Sequence, residues 1–299
     1  MNVNDMSLEH DVKKLVGSYS SAGFQASNLA KAVDIIKEMK KQKATIFLSF
    51  TSNMVATGLR GLFAELCRRK FVDAVITAGG SFDHDIIRSY SDYQLGDFFM
   101  DDSVLYKKGI NRLGNVLITN KRYELLEKKT QKLLEKIYKK NKISSPRVFA
   151  YEAGKSLNDK KSFLYWCSKN RIPVFSPGII DSAVGLQMYF FKQRKSDFRI
   201  DVTDDMPVLA DMVLNARKTG GIILGGGISK HHTIASNILR GGLDYAVYVT
   251  TASPWDGSLS GARTQEAVSW GKISKKARFV TVDCDATVAF PLIVSSVLK

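Results

Sequence analysis

Five short stretches rich in glycine, hydroxyl and carboxylate side chains recur along the chain: Thr51-Ser52-Asn53, Thr77-Ala78-Gly79-Gly80, Gly225-Gly226-Gly227, Thr250-Thr251-Ala252 and Asp283-Cys284-Asp285. These are the residue types that hold a nucleotide. Glycine lets a phosphate approach the backbone, a helix N-terminus attracts its charge, and hydroxyls and carboxylates bond the ribose. Any one stretch is equally well a turn or a cap, and Asp285 alone is a helix N-cap. Five of them, each behind an apolar run, predict a nucleotide-sized site. Neither GxGxxG nor GxxxxGKS/T occurs, so no standard dinucleotide fingerprint or P-loop is present. His231 and His232 are adjacent, and neighbours on a helix point about 100° apart, a poor chelate. Cys67, Cys167 and Cys284 lie far apart and in no CxxC pair, which argues against structural zinc and fits a reducing compartment.

The elements that must position these stretches alternate in type. Apolar runs over 44–50, 73–77, 173–176, 221–224, 244–250 and 278–283 predict strands. Helical spacing covers 28–40, 54–69, 83–90, 121–142, 160–170, 207–219, 230–240, 265–272 and 287–298. The segment 94–120 is expected to be irregular, 144–146 a loop, and 147–151 a short strand or a helix start. Strands alternating with helices predict an α/β fold: a doubly wound, mostly parallel, Rossmann-like sheet with helices on both faces. We expect one domain over 1–299 behind a polar arm, 1–27. Ligands of such sheets bind beyond the carboxyl ends of the strands, where the five stretches fall.

Composition narrows the function classes. A chain of 299 residues is long enough for a deep core. The start, 1–14, is polar and mixed in charge, unlike a secretory signal. The most apolar tail, 286–298, falls short of the roughly 20 residues of a membrane span. A cytoplasmic protein without a membrane partner is the expectation. The net charge of +15 invites a nucleic-acid reading. Yet 121–142 holds nine Lys/Arg against three Glu, with Leu125, Leu126, Leu133, Leu134, Ile137 and Tyr138 at helical spacing. That pattern predicts an amphipathic helix with a solvated lysine face, and no aromatic-interleaved basic motif supports nucleic-acid binding.

Longer motifs carry a resemblance. Asp256-Gly-Ser-Leu-Ser-Gly-Ala-Arg263 is followed by Glu266-Ala-Val-Ser-Trp-Gly-Lys272. With Thr51-Ser-Asn53, Thr77-Ala-Gly-Gly80, Gly109-Ile-Asn-Arg-Leu-Gly-Asn115, Ile172-Pro-Val-Phe-Ser-Pro177 and Ile223-Leu-Gly-Gly-Gly-Ile-Ser-Lys-His-His232, they resemble the deoxyhypusine synthase family, in the family's order. The resemblance implies transfer of the 4-aminobutyl group of spermidine to a lysine of the hypusine-containing translation factor, with NAD as cofactor and a homotetrameric assembly. It makes Lys272 the lysine that carries the butylimine, a role that needs an uncharged primary amine. Lysine ordinarily titrates near 10.4, so burial against an apolar ring, Trp270, is expected to favour the neutral amine. His231 becomes the proton acceptor, and Glu266, Trp270, Gly257 and Ser258 the substrate residues.

For NAD the resemblance implies Ser52, Asn53, Thr77, Ala78, Gly79, Asp83, Asp181, Thr251, Ala252, Asp256, Asp285 and Ala286, and no metal. Asp83 stands where well-known members have Glu, and Ala56 where they have Ser. Leu186 and Leu259 stand where well-known eukaryotic members have Asp. A buried ammonium without a carboxylate partner is costly, so these two positions must change how the amine is held. Two other functions remain open: transfer to a small diamine, as in homospermidine synthase, and an inactive scaffolding paralogue.

Overall fold

The structure is a computed structural model that describes residues 2–298. The chain forms two compact units. One holds the chain up to Thr51, Val72–Ile76 and everything from Met206 on; the other holds Ser52–Phe71 and Thr77–Asp205.

In the first unit, five strands lie side by side. They are β1 (Thr45–Phe50), β2 (Ala74–Thr77), β3 (Thr219–Leu224), β4 (Leu243–Thr250) and β5 (Ile273–Asp283), neighbours in the order β5-β4-β3-β1-β2. The pairs β1–β3, β3–β4 and β4–β5 are parallel, with Phe50 opposite Leu224, Val249 opposite Leu224 and Thr250 opposite Asp283. β3 is buried at every position, and β1 and β4 nearly so. That burial explains their unbroken apolar runs: a parallel strand covered on both faces has no polar side to alternate with. Helix Phe24–Lys41 packs along the sheet through Leu29, Ala32, Val33, Ile35, Ile36 and Met39, and helix Ala286–Val297 packs against it through Ala289, Phe290 and Ile293. The expected α/β fold is thus present, a mostly parallel sheet with helices around it.

Helix Phe24–Lys41 starts four residues before the expected point, and a further short helix, Val12–Ser18, lies inside the expected polar arm, capped by Asp11. The last helix of 265–272 is only Thr264–Ser269.

The second unit is largely helical, with a short buried strand, Val174–Phe175. Its lysine-rich helix, Asn120–Tyr138, buries Leu126, Leu133, Leu134 and Ile137 and keeps its lysines outside, as the pattern predicts. The single helix expected over 54–69 is two, Ser52–Ala56 and Leu59–Arg68. Thr57 makes the break: its hydroxyl donates to Met54 O at 2.7 Å and accepts from Leu59 N at 3.2 Å, ending one helix and capping the next. The segment 94–120 is ordered rather than irregular. Strands Ile110–Leu113 and Val116–Thr119 form a hairpin about the two-residue turn Gly114-Asn115, joined by Gln94–Leu95 and preceded by helix Asp102–Lys107. Helix Ala183–Arg194 was not expected at all; its apolar residues surround the axis rather than lining one stripe. The stretch 147–151 belongs to helix Pro146–Ser156, with Ser145 as N-cap and Pro146 in the first turn.

At the centre of this unit Arg60 is 3% exposed and Asp85 0%. Arg60 Nε donates to Asp85 Oδ1 at 2.5 Å and Arg60 Nη2 to Asp159 at 2.7 Å, while Ser162 Oγ and Leu164 N donate to Asp85 Oδ2. A buried ion pair survives only with such additional hydrogen bonds. No described helix is long and apolar enough to cross a membrane.

Candidate active site

Parallel register brings chemistry to one edge of the first unit. Because β1, β3, β4 and β5 end level, Thr51, Gly225–Gly227, Thr251-Ala252 and Cys284-Asp285 leave the sheet side by side. Helix Gly227–Ser236 begins there with Gly226 as N-cap and no side-chain capping bond. Gly227 N donates to Ser260 Oγ at 3.2 Å, and the first-turn N–H groups behind it can attract an anion. Gly226 is needed for a close approach: a Cβ there would lie 2.5 Å from Ser260 Cα. Asp285 Oδ1 caps helix Ala286–Val297 through Thr287 N at 2.7 Å, and Asp256 Oδ1 accepts from Ser258 N at 2.7 Å. Both carboxylates are exposed and keep a second oxygen for a ligand. Ala252 N donates to Thr250 Oγ1, and Ala286 is buried in its helix. The groups on this edge, a helix N-terminus and the exposed carboxylates of Asp256 and Asp285, are of the kinds that hold the phosphate and ribose parts of a dinucleotide.

Beside this edge a small cavity is lined by Lys230, Tyr248, Leu259, Glu266, Trp270 and Lys272, among others. Helix Thr264–Ser269 and the turn Trp270-Gly271 present Lys272 just before β5. Its N–H donates to Ala267 O at 3.0 Å and its carbonyl accepts from Leu243 N at 3.1 Å. Lys272 is half-buried, and its Nζ stands 5.0 Å from the Trp270 ring centroid. The ring is itself 66% exposed, so within this chain it shields one side of the amine only. Glu266 is exposed on the helix one turn before Trp270. Gly257 and Ser258 sit on the exposed loop behind Asp256.

His231 is exposed midway along helix Gly227–Ser236. Partial burial first, and then the Lys272 charge, hold its imidazole below the ordinary histidine pKa. The neutral imidazole is thereby favoured at pH 7. His232, more buried, is lowered for the same first reason, with His231 second. The Tyr248 hydroxyl is buried without a hydrogen-bond partner, and burial followed by the Glu266 charge raises its pKa. Leu259 lines the cavity and packs on the core. The cavity volume is about 30 Å³, room for a group about the size of a water molecule.

The other candidate residues gather separately in the second unit. Ser52 opens helix Ser52–Ala56, and a Cβ on Gly80 would lie 3.0 Å from its side chain. Asn53 is exposed on the next position. Thr77 is buried, its hydroxyl 2.6 Å from Ser81 Oγ. Ala78 and Gly79 lead into helix Gly80–Arg88, whose N-cap Gly79 has room for no side chain, since a Cβ would come within 2.6 Å of Ile179 O. Asp83 is 6% exposed, and its two oxygens accept from Ala183 N and Val184 N at 2.8 Å each. It thus caps helix Ala183–Arg194, and burial raises its pKa to about 6 despite the two donors. Asp181 is exposed in the turn before that helix. Leu186 is 50% exposed and lines an apolar cavity with Ile180, Met188, Tyr189, Phe198 and Ile200.

Lys230 and Tyr248 were not singled out from sequence. Lys230 lies within the Ile223–His232 motif, but nothing in residue type or spacing separates a buried lysine from a surface one.

Comparison with known proteins bears on this arrangement. Residues 14–297 match the family model for deoxyhypusine synthase. A protein of Picrophilus torridus assigned as a deoxyhypusine synthase is 46% identical over 301 residues, covering 99% of this chain and 97% of that one. One from Thermoplasma acidophilum, assigned likewise, is 46% identical over 300 residues, with the same coverage. Among solved structures, a protein from Entamoeba histolytica assigned to the same activity superposes with a TM-score of 0.72 at 26% identity, covering 95% of this chain and 92% of that one.

Proposed function

Since the chain belongs to the deoxyhypusine synthase family, a family of transferases, we propose that it moves the 4-aminobutyl group of spermidine, by way of Lys272, to a lysine of the hypusine-containing translation factor. The observation that carries this reading is the meeting of Lys272 Nζ, the Trp270 ring and Glu266 on one small cavity, with the charge of Lys272 felt at His231. NAD, when bound, supplies the hydride acceptor for oxidising the amine and the hydride for the closing reduction. The residues we assign to it are Ser52, Asn53, Thr77, Ala78, Gly79, Asp83, Asp181, Thr251, Ala252, Asp256, Asp285 and Ala286, with Gly225–Gly227.

Each side chain of the cavity has a defined task. Glu266 pairs with an ammonium of the amine and fixes its distance from Lys272. His231, neutral, accepts the proton that the reacting nitrogen must lose. Trp270 offers an apolar wall to the butyl chain. Once Lys272 Nζ has given up its proton it adds to the substrate imine carbon, and the carbon–nitrogen bond to the departing 1,3-diaminopropane breaks as that nitrogen takes up a proton. The new imine then exchanges its nitrogen for that of the acceptor lysine, which frees Lys272.

Borohydride trapping with labelled spermidine and NAD tests this directly. Label is expected on Lys272 alone, and Lys272→Ala is expected to abolish turnover while keeping folding and NAD binding. Label on another lysine, or full activity of the variant, would sink the assignment. The same assay with putrescine as acceptor in place of the factor separates protein modification from transfer to a small diamine. We further expect a cytoplasmic homotetramer.

A further inference from the structure

Lys230 is 1% exposed, one residue before His231. Its Nζ donates to Leu259 O at 2.8 Å and to Ala262 O at 2.6 Å, and lies 4.4 Å from the Tyr248 ring centroid. An ammonium withdrawn from water is costly and persists only where several acceptors replace the lost hydration. Burial accordingly pulls its pKa down to about 8, opposed by the Glu266 charge.

The partners of Lys230 show what this buried charge does. Both carbonyls belong to the segment that joins the Asp256-Gly257-Ser258 loop to the helix bearing Glu266. The same segment is held at a second point: Ser260 Oγ accepts from Gly227 N at 3.2 Å, with Gly226 packed against Ser260. Two tethers therefore fasten the substrate loop onto helix Gly227–Ser236, which carries His231. Leu259, Ala262, Arg263 and Glu266, which follow from that fastening, form one wall of the cavity around Lys272. Without Lys230, two buried carbonyls lose their donor and the wall loses its anchor.

We infer that Lys230 is a positioning residue: its ammonium, bound to Leu259 O and Ala262 O, sets the distance between the Glu266 wall and the helix of His231, and thereby the fit of the amine beside Lys272. The inference rests on the reading of this cavity as the amine site.

The test compares Lys230→Met, which removes charge and donors at similar length, with Lys230→Arg, which keeps both. Steady-state NADH formation with spermidine, NAD affinity by calorimetry and thermal unfolding are followed together. We expect Lys230→Met to raise the spermidine KM about ten-fold or more with NAD affinity nearly unchanged, and Lys230→Arg to recover most of the loss. A merely structural role predicts a lower Tm and fewer active chains, with KM unmoved. Should Lys230→Met fail to fold, Ser260→Ala loosens the second tether and is expected to raise the same KM. An unchanged spermidine KM in Ser260→Ala then overturns the inference. It is equally overturned by a folded Lys230→Met enzyme of normal KM, or by Lys230→Arg no better than Lys230→Met. Wild-type enzyme that forms no NADH with spermidine and takes no label at Lys272 overturns the amine-site reading itself, and the inference with it.

Discussion

At the scale of single residues, the cavity beside Lys272 is sparing with negative charge. Glu266 is its one carboxylate, set against Lys230, Lys272 and Arg263, and Arg263 is paired with Asp283 at 2.5 Å. Glu266→Gln is therefore expected to raise the spermidine KM and lower kcat together, because a displaced amine no longer presents its carbon–hydrogen bond correctly. Unchanged spermidine kinetics in that variant would place the amine elsewhere. A second residue-scale effect concerns acid stability. His84 is buried, and its Nδ1 lies 2.9 Å from the Tyr93 hydroxyl. Burial, and then the Arg88 charge, lower its pKa from 6.5 to about 4. Between those values the unfolded chain binds a proton that the folded chain refuses. The contribution is complete above pH 6.5 and is lost as pH falls towards 4, up to about 3 kcal/mol. Asp83, raised to about 6, works in the opposite direction but is common to both proteins when wild type is compared with His84→Gln. Denaturant midpoints from pH 7 to 4 should fall more steeply for wild type; parallel curves would refute this.

At the scale of elements, the pieces most readable from sequence are those whose burial is simple. β1, β3 and β4 have strong apolar runs because both faces are covered, and the lysine-rich helix has a clean stripe because one face meets water. Helix Ala183–Arg194 lacked such a signal: its N-terminus is capped by Ser182 and, from a hundred residues away, by Asp83. The hairpin at 110–119 has only partly buried strands, and its turn residues resemble those of any loop. Long-range polar contacts also decide how helices are held together. Arg60 joins helix Leu59–Arg68 to helix Gly80–Arg88 through Asp85, and Asp85 caps helix Phe163–Asn170 through Ser162 and Leu164. Arg60→Leu strands a buried carboxylate and is expected to cost about 3–5 kcal/mol, whereas adding Asp85→Leu should restore much of it. Urea unfolding of the single and double variants measures this, and a loss below about 1 kcal/mol for Arg60→Leu would show the pair to be dispensable.

At the scale of the whole molecule, net charge and assembly are the open physical quantities. The charge of +15 is partly spent in local pairs on and near the lysine-rich helix: Lys136 and Lys140 meet Glu152 at 3.3 and 2.6 Å, and Lys142 meets Asp197 at 2.6 Å. Glu152 is itself buried, whereas the Lys142–Asp197 pair is exposed and adds little stability; all three disperse a like-charged surface. Within one chain Trp270 remains 66% exposed and Trp255 91%. Exposed aromatic rings are the residues an assembly would cover. The homotetramer implied by the family resemblance is expected in light scattering, with these rings shielded from quenchers of tryptophan fluorescence. A fully active monomer would contradict it.

The amino-acid sequence by itself determined the alternation of strand and helix, the placing of small and acidic residues behind the strands, and, through long specific motifs, the family, and so pointed to Lys272 as the lysine proposed to react. These are local properties, carried by periodicity and by contiguous residues. Tertiary structure alone decided which of the 44 lysines and arginines is buried. Lys230 is hidden because two carbonyls about thirty residues further along the chain turn towards it, and Asp83 is a cap because a distant helix begins beside it. Burial and hydrogen-bond partnership are relations between segments far apart in sequence, and a side chain's own identity does not encode them. The level ends of β1, β3, β4 and β5 are of the same kind: each strand is legible alone, but only parallel register makes their loops into a site.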